Sequence, residues 1–341
     1  MTPGRSAAGP RRLSPAQVLA GDVGGTKTLV GLFERGDRRP RSLAVFTYPT
    51  AAFGSFTEIL TAFVRDVGRS FAVDAAAVGV AGPVVGERAH LTNIEWNVSA
   101  DEIGRFFGTP RARLVNDLEA LANSAEMLGP DEVVLLQEGI MRPDGNAVVI
   151  AAGTGLGQAY LHRVGGRLRP LPSEGGHADF APRTDREIEL LRILRADFGR
   201  VEVEHILSGP GLLNLHRFTH GREACGEVSE SAPERRAAAI SEAAMAARCP
   251  ACVEALSIFV SVYGAEAGNL ALRGVAASGV YIGGGIAPKI LPALRNGLFI
   301  DAFRAKGDMS AFLSRTPVKV ILNPEAGLLG AAMHAQELLD D

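Results

Sequence analysis

Three apolar runs in this chain each end in a cluster of glycines, and that pattern constrains its fold more than any other feature. Val18-Leu19-Ala20 leads into Gly21-Asp22-Val23-Gly24-Gly25-Thr26-Lys27, Ala147–Ala152 into Gly153-Thr154-Gly155-Leu156-Gly157, and residues 275–282 into Gly283-Gly284-Gly285. The first two continue into further strand-like runs, residues 28–33 and 158–162, so each reads as a strand–turn–strand hairpin. The two hairpins start about 130 residues apart, a faint duplication that points to two related lobes with a cleft between them. Strand patterns recur at residues 76–81, 113–115 and 318–322. Helical spacing marks Phe56–Val67, the segment after Asp117, residues 187–198, most of 211–273 with a break near 220–233, and residues 326–339. Residues 168–183 read as loop. Alternating strands and helices define an α/β chain.

At 341 residues the chain exceeds the roughly 250 that one core usually supports, so two domains are expected. A net charge of −3 argues against a nucleic-acid partner. A phosphorylated substrate would then be neutralised largely by backbone N–H groups and a metal. Three cysteines exclude a disulfide scaffold and suit a reducing cytoplasm. Cys249 and Cys252 form a lone C-x-x-C in a segment, residues 243–259, that reads as one helix; with no second pair to complete four ligands, they read as buried or bystander thiols. His162, His205, His216, His220 and His334 have no comparable context and read as structural. Residues 1–16 form a Pro/Gly/Ser/Arg-rich tail expected to be disordered. No apolar core follows its arginines, so it does not read as a signal peptide. No run of about 18 apolar residues stands out, so no membrane span is expected.

Glycines let backbone N–H groups approach an anion closely, and three such turns at strand ends suit a polyphosphate. Any one of them is equally well only a turn. Thr26 precedes Lys27 where a P-loop needs glycine, and a strand rather than a helix follows. Residues 153–157 lack the G-x-G-x-x-G spacing of a dinucleotide site. Asp22 either caps its own turn or offers an oxygen ligand to Mg²⁺ on ATP. Asp117 sits between a strand and the first turn of a helix. It is either an N-cap or a carboxylate, kept ionised by the helix N-terminus, that accepts the proton of an attacking hydroxyl. Asn116 can donate and accept to a sugar hydroxyl. Glu174 and His177, separated by two glycines, are either ordinary surface groups or fixed partners for a polyhydroxy substrate. Glu204 reads, unaided, as a surface residue of a short helix.

Taken together, Gly21–Thr26, Leu114-Val115-Asn116-Asp117, Ala152–Gly157, Ser173–Pro182, Ile206–Gly211 and Gly283–Ile286 resemble the bacterial glucokinase family of the actin-like sugar-kinase superfamily. The resemblance implies a two-lobed, actin-like/ribonuclease-H-like α/β fold with an interdomain cleft. It implies a small domain of residues 17–127 plus 318–341 and a large domain of residues 128–317. The implied reaction moves the γ-phosphoryl of ATP to the 6-hydroxyl of D-glucose in the cytoplasm, with closure of the lobes. The resemblance places Gly21, Asp22, Val23, Gly24, Gly25, Thr26, Thr154 and Gly155 on the phosphates and Gly283 and Gly284 near the adenosine. Asp117 matches the catalytic base, and Asn116, Glu174, His177 and Glu204 match the glucose contacts. Related ROK kinases carry a zinc-binding Cys cluster soon after the E-x-G-H element; residues 178–195 hold no Cys, so no zinc is expected. A homodimer is a family expectation. The alternatives are a kinase for another hexose, such as mannose or N-acetylmannosamine, a non-catalytic sugar sensor on this fold, and an ATPase of the actin or chaperone branch. Too few residues precede the first strand for the DNA-binding helices a sensor would need.

Overall fold

A computed structural model describes residues 15–91, 95–221 and 225–340. The expected tail lies, up to residue 14, outside the described residues. The chain divides into two compact units, residues 1–120 with 327–341, and residues 121–326.

The first unit is built on a five-stranded sheet ordered β3-β2-β1-β4-β8. Its strands are β1 (Gln17–Val23), β2 (Lys27–Glu34), β3 (Arg41–Pro49), β4 (Ala75–Val80) and β8 (Ala112–Asn116). β1, β2 and β3 run antiparallel in succession, whereas β4 and β8 add parallel to β1. A small antiparallel sheet joins β5 (Val84–Val85), β6 (Arg88–Leu91) and β7 (Trp96–Ser99). The two-residue alternation of a strand decides what covers each face. Leu19 and Val23 pack with Phe56, Ile59, Leu60 and Phe63 of α1 (Phe56–Val67) and Ile103 of α2 (Ala100–Phe107). Val18 and Ala20 pack on the opposite face against Leu328, Ala331, Ala332 and Ala335 of α12 (Ala326–Glu337). α1 has the expected bounds because both ends are capped: Ser55 accepts the N–H of Glu58, and Gly68 closes the last turn with φ of 67°. α3 (Asp117–Ser124) begins directly at the end of β8.

The second unit carries a six-stranded sheet ordered β12-β11-β10-β13-β14-β9. Its strands are β9 (Val133–Gln137), β10 (Ala147–Ala152), β11 (Leu156–Val164), β12 (Arg167–Ser173), β13 (Gly279–Gly283) and β14 (Val318–Ile321). β10, β11 and β12 form an antiparallel meander, and β13 and β14 extend it in parallel from β10. Each unit therefore repeats one topology, a three-stranded meander followed by two parallel strands, with β9 added at an edge in the second. The duplication faint in the sequence is plain in the backbone. Around this sheet lie α4 (Asp185–Phe198), α5 (Gly209–His220), α6 (Gly226–Ser229), α7 (Arg236–Met245), α8 (Pro250–Gly274), α9 (Leu291–Leu294), α10 (Leu298–Arg304) and α11 (Ser310–Arg315).

Several expectations need correction. The segment read as loop contains β12, whose Pro170 and Pro172 hide the strand pattern; both are tolerated because β12 is an edge strand. Residues 243–259 are not one helix. α7 ends at Met245, Ala247 takes φ of 52°, and α8 starts with Pro250 at its first position. α8 runs to Gly274, so β13 begins at Gly279 rather than at 275. α8 is also long and apolar enough to cross a membrane by length and composition; 72% of its most apolar stretch is buried, and Phe259, Tyr263 and Leu270 lie in the core of the second unit. β14 bonds to β13 and β9, so residues 318–326 group with the second unit rather than with the small domain.

Candidate active site

In the first unit the candidate carboxylates, Asp22 and Asp117, gather at the C-terminal ends of parallel strands, where ligands of open α/β sheets usually bind. Asp22 sits near the end of β1, opposite Gly79 of β4, and Gly79 lies opposite Val115 of β8. A side chain at Gly79 would press on Ala120 and the Asp117 backbone, with its Cβ 3.3 Å from the Ala120 Cβ, so glycine lets α3 start close against the sheet. Asp117 is solvent-open, and its Oδ1 accepts the Leu118 N–H at 2.8 Å. Asn116 Oδ1 accepts from the same N–H at 3.0 Å, and Asn116 Nδ2 donates to the Gly82 carbonyl at 3.1 Å. Both side chains are thereby oriented by backbone.

Asp22 shares the face of β1 covered by α12, where Gly327 leaves just enough room for its carboxylate. Burial and the negative charge of Asp117 push the Asp22 pKa up to about 6; Lys27 opposes the rise. The Asp117 pKa is also raised: the residue is open to solvent, but protein packed around its carboxyl strips away part of its water, and that desolvation outweighs the Leu118 N–H bond that lowers it. The helix N-terminus therefore acts in the expected direction but does not prevail. Two crowded acids with one nearby cation make a hard oxygen site that a divalent ion would relieve, so the donor set fits Mg²⁺.

The first glycine turn is pinned from an unforeseen direction. Thr50 Oγ1 donates to the Gly24 carbonyl at 2.8 Å and its N–H to the Thr26 carbonyl at 3.1 Å. Gly25 and Thr26 are left exposed, while Gly21 and Val23 are buried within β1.

In the second unit, the turn between β10 and β11 closes with the Gly153 N–H on the Gly155 carbonyl at 2.8 Å. Thr154 is exposed at its tip. Glu204 belongs to a single 3-10 turn, Val203–His205, and its Oε2 accepts the Leu156 N–H at 2.7 Å. A Cβ at Gly155 would lie 2.6 Å from that oxygen, so glycine here makes room for the carboxylate. Glu204 is thus no bystander of the surface: it braces the turn and still presents Oε1. Gly283 ends β13, and Gly284 follows it. The Tyr263 hydroxyl joins the ends of β10 and β13, 3.3 Å from the Ala152 nitrogen and 3.4 Å from the Gly283 carbonyl.

Glu174 precedes a 3-10 turn, Gly175–His177, and its side chain is 89% exposed. His177 Nε2 lies 3.9 Å from Glu174 Oε2, and its Nδ1 is 2.7 Å from Glu202 Oε2. Arg200 bonds the other oxygen of Glu202, the His177 carbonyl at 2.9 Å and Asp179 at 2.9 Å. The Glu202 bond foremost, with the fields of Glu204 and Glu174, raises the His177 pKa. Glu202 and Arg200 escaped the sequence reading; their signal was two charged residues just ahead of Glu204, too common to single out.

A further grouping involves two of the cysteines, Cys225 and Cys252, both buried as expected. His216, His220, Cys225 and Cys252 converge in the second unit, with one potential ligand atom of each within 4.8 Å of all the others. Elsewhere, an open cavity of about 1050 Å³ lies at the N-terminal end of β8, lined by Arg88, Asp101, Arg105, Arg111 and Arg113. It sits at the opposite end of that strand from Asn116 and Asp117.

A family model described as glucokinase matches residues 19–338. A glucokinase of Nostoc punctiforme is 37% identical over 339 residues, covering 94% of this chain and 99% of its own. The crystal structure of a glucokinase from an Antarctic psychrotroph superposes with a TM-score of 0.83 at 31% identity, covering 94% of this chain and 99% of its own. A ROK-family glucokinase of Streptomyces griseus, solved with glucose and AMPPNP, has a TM-score of 0.63 at 22% identity, covering 94% and 100%, and shares the fold. With the repeated sheet topology, the carboxylates at the strand ends and a match along nearly the whole described chain, this protein belongs to the glucokinase family.

Proposed function

We propose that the protein transfers the γ-phosphoryl of ATP to the 6-hydroxyl of D-glucose, giving glucose 6-phosphate and ADP. The observation that carries this reading is the solvent-open Asp117 carboxylate, oriented by the Leu118 N–H and paired with Asp22 across Gly79. Asp117 accepts the proton of the attacking hydroxyl; its raised pKa makes it a stronger base than an ordinary carboxylate. Asn116, Glu174, His177 and Glu204 bind sugar hydroxyls, and Glu202 holds the His177 ring so that Nε2 faces the substrate. The backbone N–H groups of residues 21–26, with Thr154 and Gly155, receive the phosphates, and Gly283 and Gly284 lie at the adenosine. Asp22, with Asp117 nearby, would hold Mg²⁺ of the nucleotide, directly or through water. Bound there, the ion would neutralise charge on the phosphoryl oxygens. The Streptomyces structure with glucose and AMPPNP supports the choice of substrates.

The test is ADP release with and without glucose, alongside Asp117→Asn. Turnover should require the sugar and fall roughly 10²–10⁴-fold in the variant, while glucose affinity stays within about threefold. Sugar-independent ATP hydrolysis would support the ATPase reading. A better kcat/KM for mannose or N-acetylmannosamine would move the assignment to another hexose. Near-normal turnover in Asp117→Asn would remove that residue from the mechanism.

A further inference from the structure

The second unit contains a set of soft donors that the proposed kinase chemistry does not use. It is drawn from three places in the sequence, in the order H-x3-H-x4-C-x23-C-x2-C. His216 and His220 lie one turn apart on the last turns of α5, so both rings leave the same face. Cys225 immediately precedes α6, Cys249 precedes α8, and Cys252 lies in the first turn of α8. Cys225 and Cys252 are buried, at 8% and 0% exposure.

We propose that His216, His220, Cys225 and Cys252 form a structural Cys2His2 site for a zinc ion.

The distances suit that ion. Zn–S bonds of about 2.3 Å in a tetrahedron separate two sulfurs by roughly 3.8 Å, and Zn–N bonds of about 2.0 Å set sulfur–nitrogen edges near 3.5 Å. Cys225 Sγ and Cys252 Sγ are 3.8 Å apart, and Cys252 Sγ is 3.9 Å from His220 Nε2. Among the described residues no carboxylate belongs to the group, which disfavours the hard ions Mg²⁺ and Ca²⁺.

The histidine chemistry agrees. His220 Nδ1 lies 2.9 Å from the His216 carbonyl, which can only accept, so Nδ1 carries the proton and Nε2 offers a lone pair towards the sulfurs. Metal-bound histidines are commonly oriented by such a second bond. His216 stacks on His220 with ring centroids 3.8 Å apart, and its Nε2 is buried with no hydrogen-bond partner among the described residues. Leaving a ring nitrogen buried and unbonded is costly, and a metal among its neighbours accounts for the arrangement. Cys249 Sγ, 3.2 Å from His220 Nε2, is a neighbouring thiol beside the set.

Such a site clamps the end of α5 to the start of α8. α5 begins at Gly209, whose N–H bonds the Gly153 carbonyl of the second glycine turn at 2.8 Å. The ion therefore secures the helix that braces that turn while taking no part in phosphoryl transfer. The position lies outside residues 178–195, the stretch after Glu174 and His177 where ROK kinases carry their zinc cluster.

The experiment uses the full-length protein, purified without a polyhistidine tag and dialysed against metal-free buffer. Elemental analysis should find about one zinc per chain, released by a thiol-blocking mercurial. Reconstitution with Co²⁺ should give visible ligand-field bands and thiolate-to-cobalt charge transfer of a tetrahedral site. Cys252→Ser and His216→Ala should each lower bound metal roughly tenfold or more, whereas Cys249→Ser should retain it. A zinc-selective chelator that spares Mg²⁺ should lower the melting temperature of the wild type but not of Cys252→Ser. The wild-type measurements stand even where a variant fails to fold. Less than about a tenth of an equivalent of metal, with no cobalt spectrum, overturns the site. So does a Cys225–Cys252 disulfide in the metal-free protein under reducing conditions. Loss of metal in Cys249→Ser with retention in His216→Ala overturns the ligand assignment.

Discussion

At the scale of single residues, Asp22 shows what burying a carboxylate beside another acid costs. Its native pKa of about 6 exceeds the value near 3.9 of an unfolded chain, so between those pH values the native state holds the extra proton. Stability from this group is present at low pH and is lost as pH rises through 6. At pH 8 the penalty is about 3 kcal/mol at most. Asp22→Asn should therefore raise the melting temperature of the ligand-free protein at pH 8, with the gain vanishing towards pH 4, while turnover falls. Equal melting at all pH values would deny the burden. Gly155 offers a second single-residue test. Gly155→Ala forces Glu204 off the Leu156 N–H, so KM for glucose should rise about tenfold or more if Glu204 binds the sugar. Legibility at this scale was uneven. Asp117 was readable because its carboxylate stands at a strand–helix junction that the sequence announces. Glu202, Thr50 and Gly79 were not, because each acts on a partner distant in sequence whose position only the fold supplies.

At the scale of elements, local signals served where the chain closes its own contacts. α1 was legible from Ser55 to Gly68 because its caps and apolar stripe all lie within one short segment. β12 was not, because its strand character depends on pairing with β11 and its prolines suit only an edge. The Cys/His group failed to register for a similar reason, since 26 residues separate Cys225 from Cys252. Tyr263 links elements in the same long-range way. Its hydroxyl, donated from the middle of α8, meets the ends of β10 and β13 beside the second and third glycine turns. Tyr263→Phe should keep the ring packing and lose about 1 kcal/mol in a urea titration, with little change in the denaturant slope. A loss above about 4 kcal/mol would mean the ring packing itself had been disturbed.

At the scale of the whole molecule, the repeated sheet order was foreshadowed by two glycine hairpins, but the domain boundary was not. β14 carries no mark of which sheet it joins; only its bonds to β13 and β9 decide. α12 is the element that returns to the first unit, where Leu328, Ala331, Ala332 and Ala335 are fully buried or nearly so against β1 and β4. Ending the chain after residue 325 should expose that apolar face, so the truncated protein should be insoluble or melt without a cooperative transition. A soluble, cooperatively melting truncation would show that α12 is dispensable to that core.

The route of the backbone also sets a timetable for the ribosome. Residues 121–326 emerge as one uninterrupted stretch, whereas the earlier unit waits for a helix encoded some two hundred codons later. At roughly 5–20 residues per second, that wait lasts tens of seconds. Throughout it, one side of the nascent β1–β4–β8 layer stands bare, a natural client for a chaperone. The unit first to be translated is the last to be finished.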